Sequence, residues 1–123
     1  MDRLFFAFGA LSAFIGVAMG AFAAHGLKGR LSPEMLSTFE VGARYQMYHA
    51  LALFVVAWAQ TRWGGALATA SGWLFVSGTI LFSGSLYVLS ISGVKWLGAI
   101  TPFGGLAFLA GWGCLAALCL TNK

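Results

Sequence analysis

Residues 4–24 read LFFAFGALSAFIGVAMGAFAA, an apolar run without a charged side chain. About 20 such residues in helical geometry reach across the hydrocarbon core of a bilayer. A secretory signal peptide is the rival reading, because Arg3 supplies a basic start and Ala21-Phe22-Ala23 a small-x-small cleavage pattern. The run is longer than the usual signal core of about 7–15 residues, so it is read as a first transmembrane helix.

The composition agrees. The 123 residues are 60% hydrophobic and only 8% charged, with a mean hydropathy of +0.88. An ordinary soluble domain is about 25% charged. A small soluble fold is mostly surface, and so few charges would not cover it. The net charge of +4 comes from cations scattered along the chain. That pattern fits membrane-flanking Lys and Arg and argues against a nucleic-acid partner. Cys114 and Cys119 lie five apart in the last apolar run. On a helix they point in different directions, so they are read as apolar cysteines and not as a bridge.

Working outward, three further apolar runs predict helices over about 44–61, 66–91 and 97–120. The expected fold is an all-α membrane protein, one domain over 1–123, with four transmembrane helices and a short amphipathic helix between the first two. That amphipathic segment is placed at 33–43. Ser32 can cap it, Pro33 suits its first position, and Glu34 favours its positive end. Met35, Phe39, Ala43 and Met47 recur at i, i+4 spacing, with Gly42 as a bend point before the bilayer. Trp63, Trp73 and Trp96 sit near helix ends, as amphipathic rings do at membrane interfaces. Thr101-Pro102 either starts the last helix or bends a longer one.

Four spans place both termini on one side, called side A. Side A carries Arg3, Arg62 and Lys123, and side B carries Lys28, Arg30, Arg44 and Lys95, which leaves orientation open. Gly16 and Gly20 form a GxxxG pair, and Gly104, Gly105 and Gly111 form a second small-residue set. Such faces serve packing within the bundle or association into a homo-oligomer.

Polar residues converge on one depth. His25, Gln46, His49, Ser83, Ser85, Tyr87 and Thr101 come from all four helices and fall near side B. By helical rise, His49, Ser83, Ser85 and Thr101 lie roughly 5–10 Å below that boundary. Polar groups inside a membrane need partners and mark functional sites by default. The expectation is a polar pocket open to side B with His49 at its centre. The bland alternative is helix–helix glue, at about 0.6 kcal/mol for an average interhelical hydrogen bond. Glu40 and Arg44, at i, i+4, are read as an interfacial ion pair. No zinc, haem, phosphate-loop or nucleophile spacing is present, so no cofactor, metal or enzyme chemistry is expected.

Four segments carry a family resemblance: Gly20-Ala21-Phe22-Ala23-Ala24-His25-Gly26-Leu27, Tyr45-Gln46-Met47-Tyr48-His49-Ala50-Leu51-Ala52-Leu53, Leu81-Phe82-Ser83-Gly84-Ser85-Leu86-Tyr87, and Thr101-Pro102-Phe103-Gly104-Gly105 followed by Phe108 and Gly111-Trp112. The chain resembles the small membrane proteins of the YgdD/YwdK type, domain of unknown function 423, with eukaryotic transmembrane protein 256 as a relative. The resemblance implies a four-helix integral protein, in the cytoplasmic membrane for a bacterial member, and no established activity. The residues themselves suggest binding or permeation of a small polar solute, ion or lipid headgroup of unknown identity. The alternative is a structural or accessory role in which the partners are the lipid bilayer and other helices.

Overall fold

The computed structural model describes residues 1–122. The chain forms α1 (Asp2–Phe22), a π-helical turn (Ala23–Leu27), α2 (Pro33–Arg62), α3 (Ala66–Ser92), a 3₁₀ turn (Lys95–Ala99) and α4 (Thr101–Thr121). No strand occurs among the described residues.

Local chemistry accounts for most of the boundaries. Ser32 caps α2 as expected, its Oγ accepting from the Met35 amide at 3.1 Å, with Pro33 in the first turn. Gly64 and Gly65 have φ of 67° and 89°, a region open to glycine, and so make the tight turn between α2 and α3. Of the two readings of Thr101-Pro102, the structure takes the first: α4 starts at Thr101, not at 97, and the preceding residues form the 3₁₀ turn.

One boundary differs in kind. Residues 33–43 are not a separate amphipathic helix but the first turns of an unbroken α2. The helix runs through Gly42 without a break. The glycine leaves room for a neighbour, because a Cβ there would stand 3.0 Å from the Tyr87 ring and 3.3 Å from Leu86 Cβ. At 30 residues, α2 is about 45 Å long, well beyond the roughly 30 Å of a hydrocarbon core.

The helices pack in chain order, α1 on α2, α2 on α3 and α3 on α4. Thus α2 and α3 form the central pair. α1 buries only Phe5, Gly9 and Gly16, whereas α2 buries residues from Phe39 to Ala59. A core of Phe5, Ala52, Leu53, Val56, Ala57, Phe75 and Phe108 joins all four helices. Phe39, Ala23 and Leu27 close the side-B end, and Ala59, Ala68 and Leu118 the side-A end. The outward faces are apolar: Leu120 is 85% exposed, Phe14 76% and Leu109 69%. Three stretches, Asp2–Leu27, Ala66–Ser92 and Lys95–Thr121, are long and apolar enough to cross a membrane. α2 is not among them.

Candidate functional site

Six of the seven polar residues expected to share one pocket fall into separate interlocks. Gln46 ties three helices together. Its Nε2 donates to the Ser12 carbonyl at 3.1 Å and to Ser12 Oγ at 3.3 Å on α1. Its Oε1 accepts from the Tyr87 hydroxyl of α3 at 2.6 Å. Both ends of the amide are thereby used. The Tyr87 ring lies 4.8 Å from Phe39, in the space that Gly42 leaves.

His49, one turn further along α2, faces α4. The indole Nε1–H of Trp112 donates to His49 Nε2 at 3.1 Å, and His49 Nδ1 lies 2.8 Å from the Tyr45 carbonyl. An indole only donates and a carbonyl only accepts. The neutral ring with its proton on Nδ1 satisfies both partners at once. The imidazole also stacks on Phe108, with ring centres 3.5 Å apart and planes within 6°. Neither nitrogen keeps a free lone pair for a metal or solute.

The remaining hydroxyls are similarly engaged. Ser83 Oγ donates to the Gly42 carbonyl at 2.6 Å, binding α3 to α2. Ser85 Oγ donates to the Phe82 carbonyl at 2.9 Å, so Thr101 Oγ1 is the donor in the 2.6 Å contact between Ser85 and Thr101. That pair joins α3 to the start of α4. His25 does not join the others; it lies exposed in the π-helical turn.

The grooves follow the same division. His49 lines an open groove of about 570 Å³ with Tyr45, Phe82, Leu106 and Trp112. Gln46 lines a crevice of about 220 Å³ between α1 and α3. Ser85 lines a shallow groove of about 240 Å³ beside Val88 and Ile100. No described groove collects all the polar residues. Glu40 and Arg44 make no ion pair: the one within 4 Å among the described residues joins the Met1 ammonium to Asp2 at 3.9 Å. Both side chains of the expected pair are exposed and free to extend into solvent or headgroups.

The glycines also divide. Gly16 packs against Met47 and Gln46, Gly104 against Phe82, and Gly111 against Phe75. Gly20 has nothing within 4 Å of where a Cβ would stand, and Gly105 only the Phe82 ring at 4.0 Å. Residues outside the expected set complete the interlocks: Ser12, Trp112, and Ser71, whose hydroxyl donates to the Gly111 carbonyl at 3.0 Å. Ser12 carried a readable signal, as the one hydroxyl in the run 4–24. No three His, Cys, Asp or Glu side chains come together among the described residues.

A family model described as "Protein of unknown function (DUF423)" matches residues 19–105. The UPF0382 membrane protein YwdK of Bacillus subtilis is 47% identical over 111 residues, covering 89% of this chain and 90% of that protein. UPF0382 membrane proteins of Staphylococcus haemolyticus and Staphylococcus aureus are each 46% identical over 116 residues, covering 89% of both chains. No solved structure matches. With these relatives spanning most of its length and three helices able to cross a bilayer, the chain is a membrane protein and belongs to the DUF423 family, whose function is unknown.

Proposed function

We propose that this protein crosses the membrane four times as a single four-helix bundle, carries no enzyme chemistry, and acts as a structural or accessory membrane protein through its outward faces. The observation behind this reading is the closure of the polar network. Gln46, His49, Ser83, Ser85, Tyr87 and Thr101 each bond within the protein. Binding or permeation of a polar solute would need those atoms free along a path, and His49 Nε2 is already held by Trp112. The fourth crossing is α2. It is less apolar than the others, but Gln46 and His49 turn inward against α1, α3 and α4, so its polar groups are satisfied away from lipid. Gly20, Gly84 and Gly113 have open space where a Cβ would stand. They allow close approach by a further helix, of which a second copy is the simplest.

Two measurements test this. Liposomes containing the purified protein should release potassium and glycerol no faster than protein-free liposomes. Cross-linking in native membranes should give a specific adduct that Gly20→Leu abolishes while the isolated protein keeps its stability. A protein-dependent flux removed by His49→Ala would overturn the proposal in favour of permeation.

A further inference from the structure

A fourth groove, of about 520 Å³, lies open between α1 and α2, and unlike the three above it has charged side chains in its lining, Asp2 and Arg3. The lining falls on one stripe of each helix: Arg3, Phe6 and Ala7 on α1, and Phe54, Trp58 and Thr61 on α2. These are the three- and four-residue steps that share a helix face. Gly9 meets Leu53 and Gly16 meets Met47, so the two helices run antiparallel. That order brings Asp2, Arg3 and Thr61 to one end of the groove. Phe6 and Phe54, with ring centres 4.7 Å apart, form the other. From Asp2 to Ala7 the groove passes from charged to apolar within about 8 Å. The uncharged run 4–24 begins directly after Arg3, so the charged end is where the helix leaves hydrocarbon. Head group first and chain second is also the order of a membrane lipid.

Charge selects the lipid class. Arg3 is exposed, and its own helix does not favour it, because a cation in the first turn faces the positive helix end. The one ion pair within 4 Å among the described residues takes Asp2 to the Met1 ammonium at 3.9 Å, which leaves Arg3 without a carboxylate at that distance among them. Arg62 adds a second cation at this end of α2. Its guanidinium is 5.6 Å from the centre of the Trp63 ring, which meets Trp58 edge-on at 5.3 Å. Arg3 and Arg62 therefore outnumber Asp2 around the groove. A headgroup with negative charge alone balances that surplus, whereas an ammonium headgroup brings a further cation. A guanidinium also matches two oxygens of a phosphodiester at once. We infer that this groove binds an anionic phospholipid, with its phosphodiester on Arg3 and the start of an acyl chain along Phe6, Phe54 and Trp58. The inference is independent of the accessory role above, because Gly20, Gly84 and Gly113 do not line this groove.

The test uses the whole protein in dodecylmaltoside micelles, with dioleoylphosphatidylglycerol as probe. Dioleoylphosphatidylcholine, dioleoylphosphatidylethanolamine and inorganic phosphate are the comparisons. Saturable binding by native mass spectrometry and a raised Tm are expected for phosphatidylglycerol alone. Arg3→Gln should weaken its Kd about tenfold, as loss of a charge-assisted contact does. Arg44→Gln removes the same charge from an exposed position about 27 Å along α2 from Arg62, and should leave the Kd unchanged. Ala7→Phe narrows the groove from an exposed lining position with every charge kept. It should weaken binding without lowering the unliganded Tm, which provides a second variant if Arg3→Gln disturbs the start of α1. Equal binding of phosphatidylcholine or phosphatidylethanolamine, or the same stabilisation by inorganic phosphate, would overturn the inference. So would equal losses for Arg3→Gln and Arg44→Gln, which mean attraction to the whole basic surface, or a Kd untouched by Ala7→Phe.

Discussion

Gln46 and His49 sit one turn apart on α2, yet they hold the protein together in different ways. On the α1–α3 side, Gln46 makes a hydrogen-bonded lock: Ser12, the amide and Tyr87 in series across three helices. On the α4 side, His49 makes an aromatic lock, stacked on Phe108 and capped by Trp112, with Phe75 5.3 Å away. The first lock depends on directional bonds, each replaceable by an apolar group only if both partners change. The second depends on contact area and ring geometry, with one hydrogen bond added. The two buried polar side chains of α2 are thus each matched by the helices they face.

The two locks should fail differently. His49→Ala removes the stack, the acceptor for Trp112 and the volume between Phe75 and Phe108. It should cost about 2–5 kcal/mol, as buried large-to-small changes do, read as the midpoint of reversible unfolding in mixed micelles. Gln46→Leu keeps the volume but orphans the Tyr87 hydroxyl, and should cost about 1–3 kcal/mol. Adding Tyr87→Phe to Gln46→Leu should restore a large part of that loss, since no polar atom is then stranded. If the double variant is as unstable as the two single costs summed, the α1–α3 side is held by packing and the contrast with His49 disappears.

The comparison also explains what could be read from the residues alone. The all-helical class, the Ser32-Pro33 start and the membrane setting follow from run length, capping chemistry and charge scarcity, which are local properties, whereas Thr101-Pro102 leaves two starts open for the last helix. Depth arithmetic also picked out Gln46, His49, Ser83, Ser85, Tyr87 and Thr101 as polar groups needing partners. It gives height along a helix but not which neighbouring helix a side chain meets, so it merged contacts to α1 and α3 and contacts to α4 into one pocket. His25 suits the depth and lies exposed on the π-helical turn. Gly16 and Gly20 belong to one spacing motif, yet only Gly16 meets a neighbour. Gly42 read as a bend because its reason lies on another helix, in the Tyr87 ring. The donor role of Trp112 is not legible in its own segment, because an indole in an apolar run gains its meaning from a partner far away in the chain.

The smallest expected effect makes the sharpest distinction. Trp112→Phe keeps an aromatic ring against Phe75, whose centroid is 4.9 Å from that of Trp112, and removes only the indole donor. If stacking dominates the α4 lock, the loss should be about 0.6 kcal/mol, the average for an interhelical hydrogen bond in a membrane protein. The His49 tautomer supplies a second readout. With Trp112 present, Nε2 must accept, so nitrogen NMR of the imidazole should show the Nδ1-protonated form alone. Without the indole, nothing obliges Nε2 to stay bare, but the Tyr45 carbonyl still holds the Nδ1 proton at 2.8 Å. The tautomer should therefore persist, with the Nε2 resonance shifted by loss of its donor. A cost comparable to His49→Ala would mean that the hydrogen bond carries the lock and the Phe108 stack merely accompanies it. The two sides of α2 would then be held by the same physics.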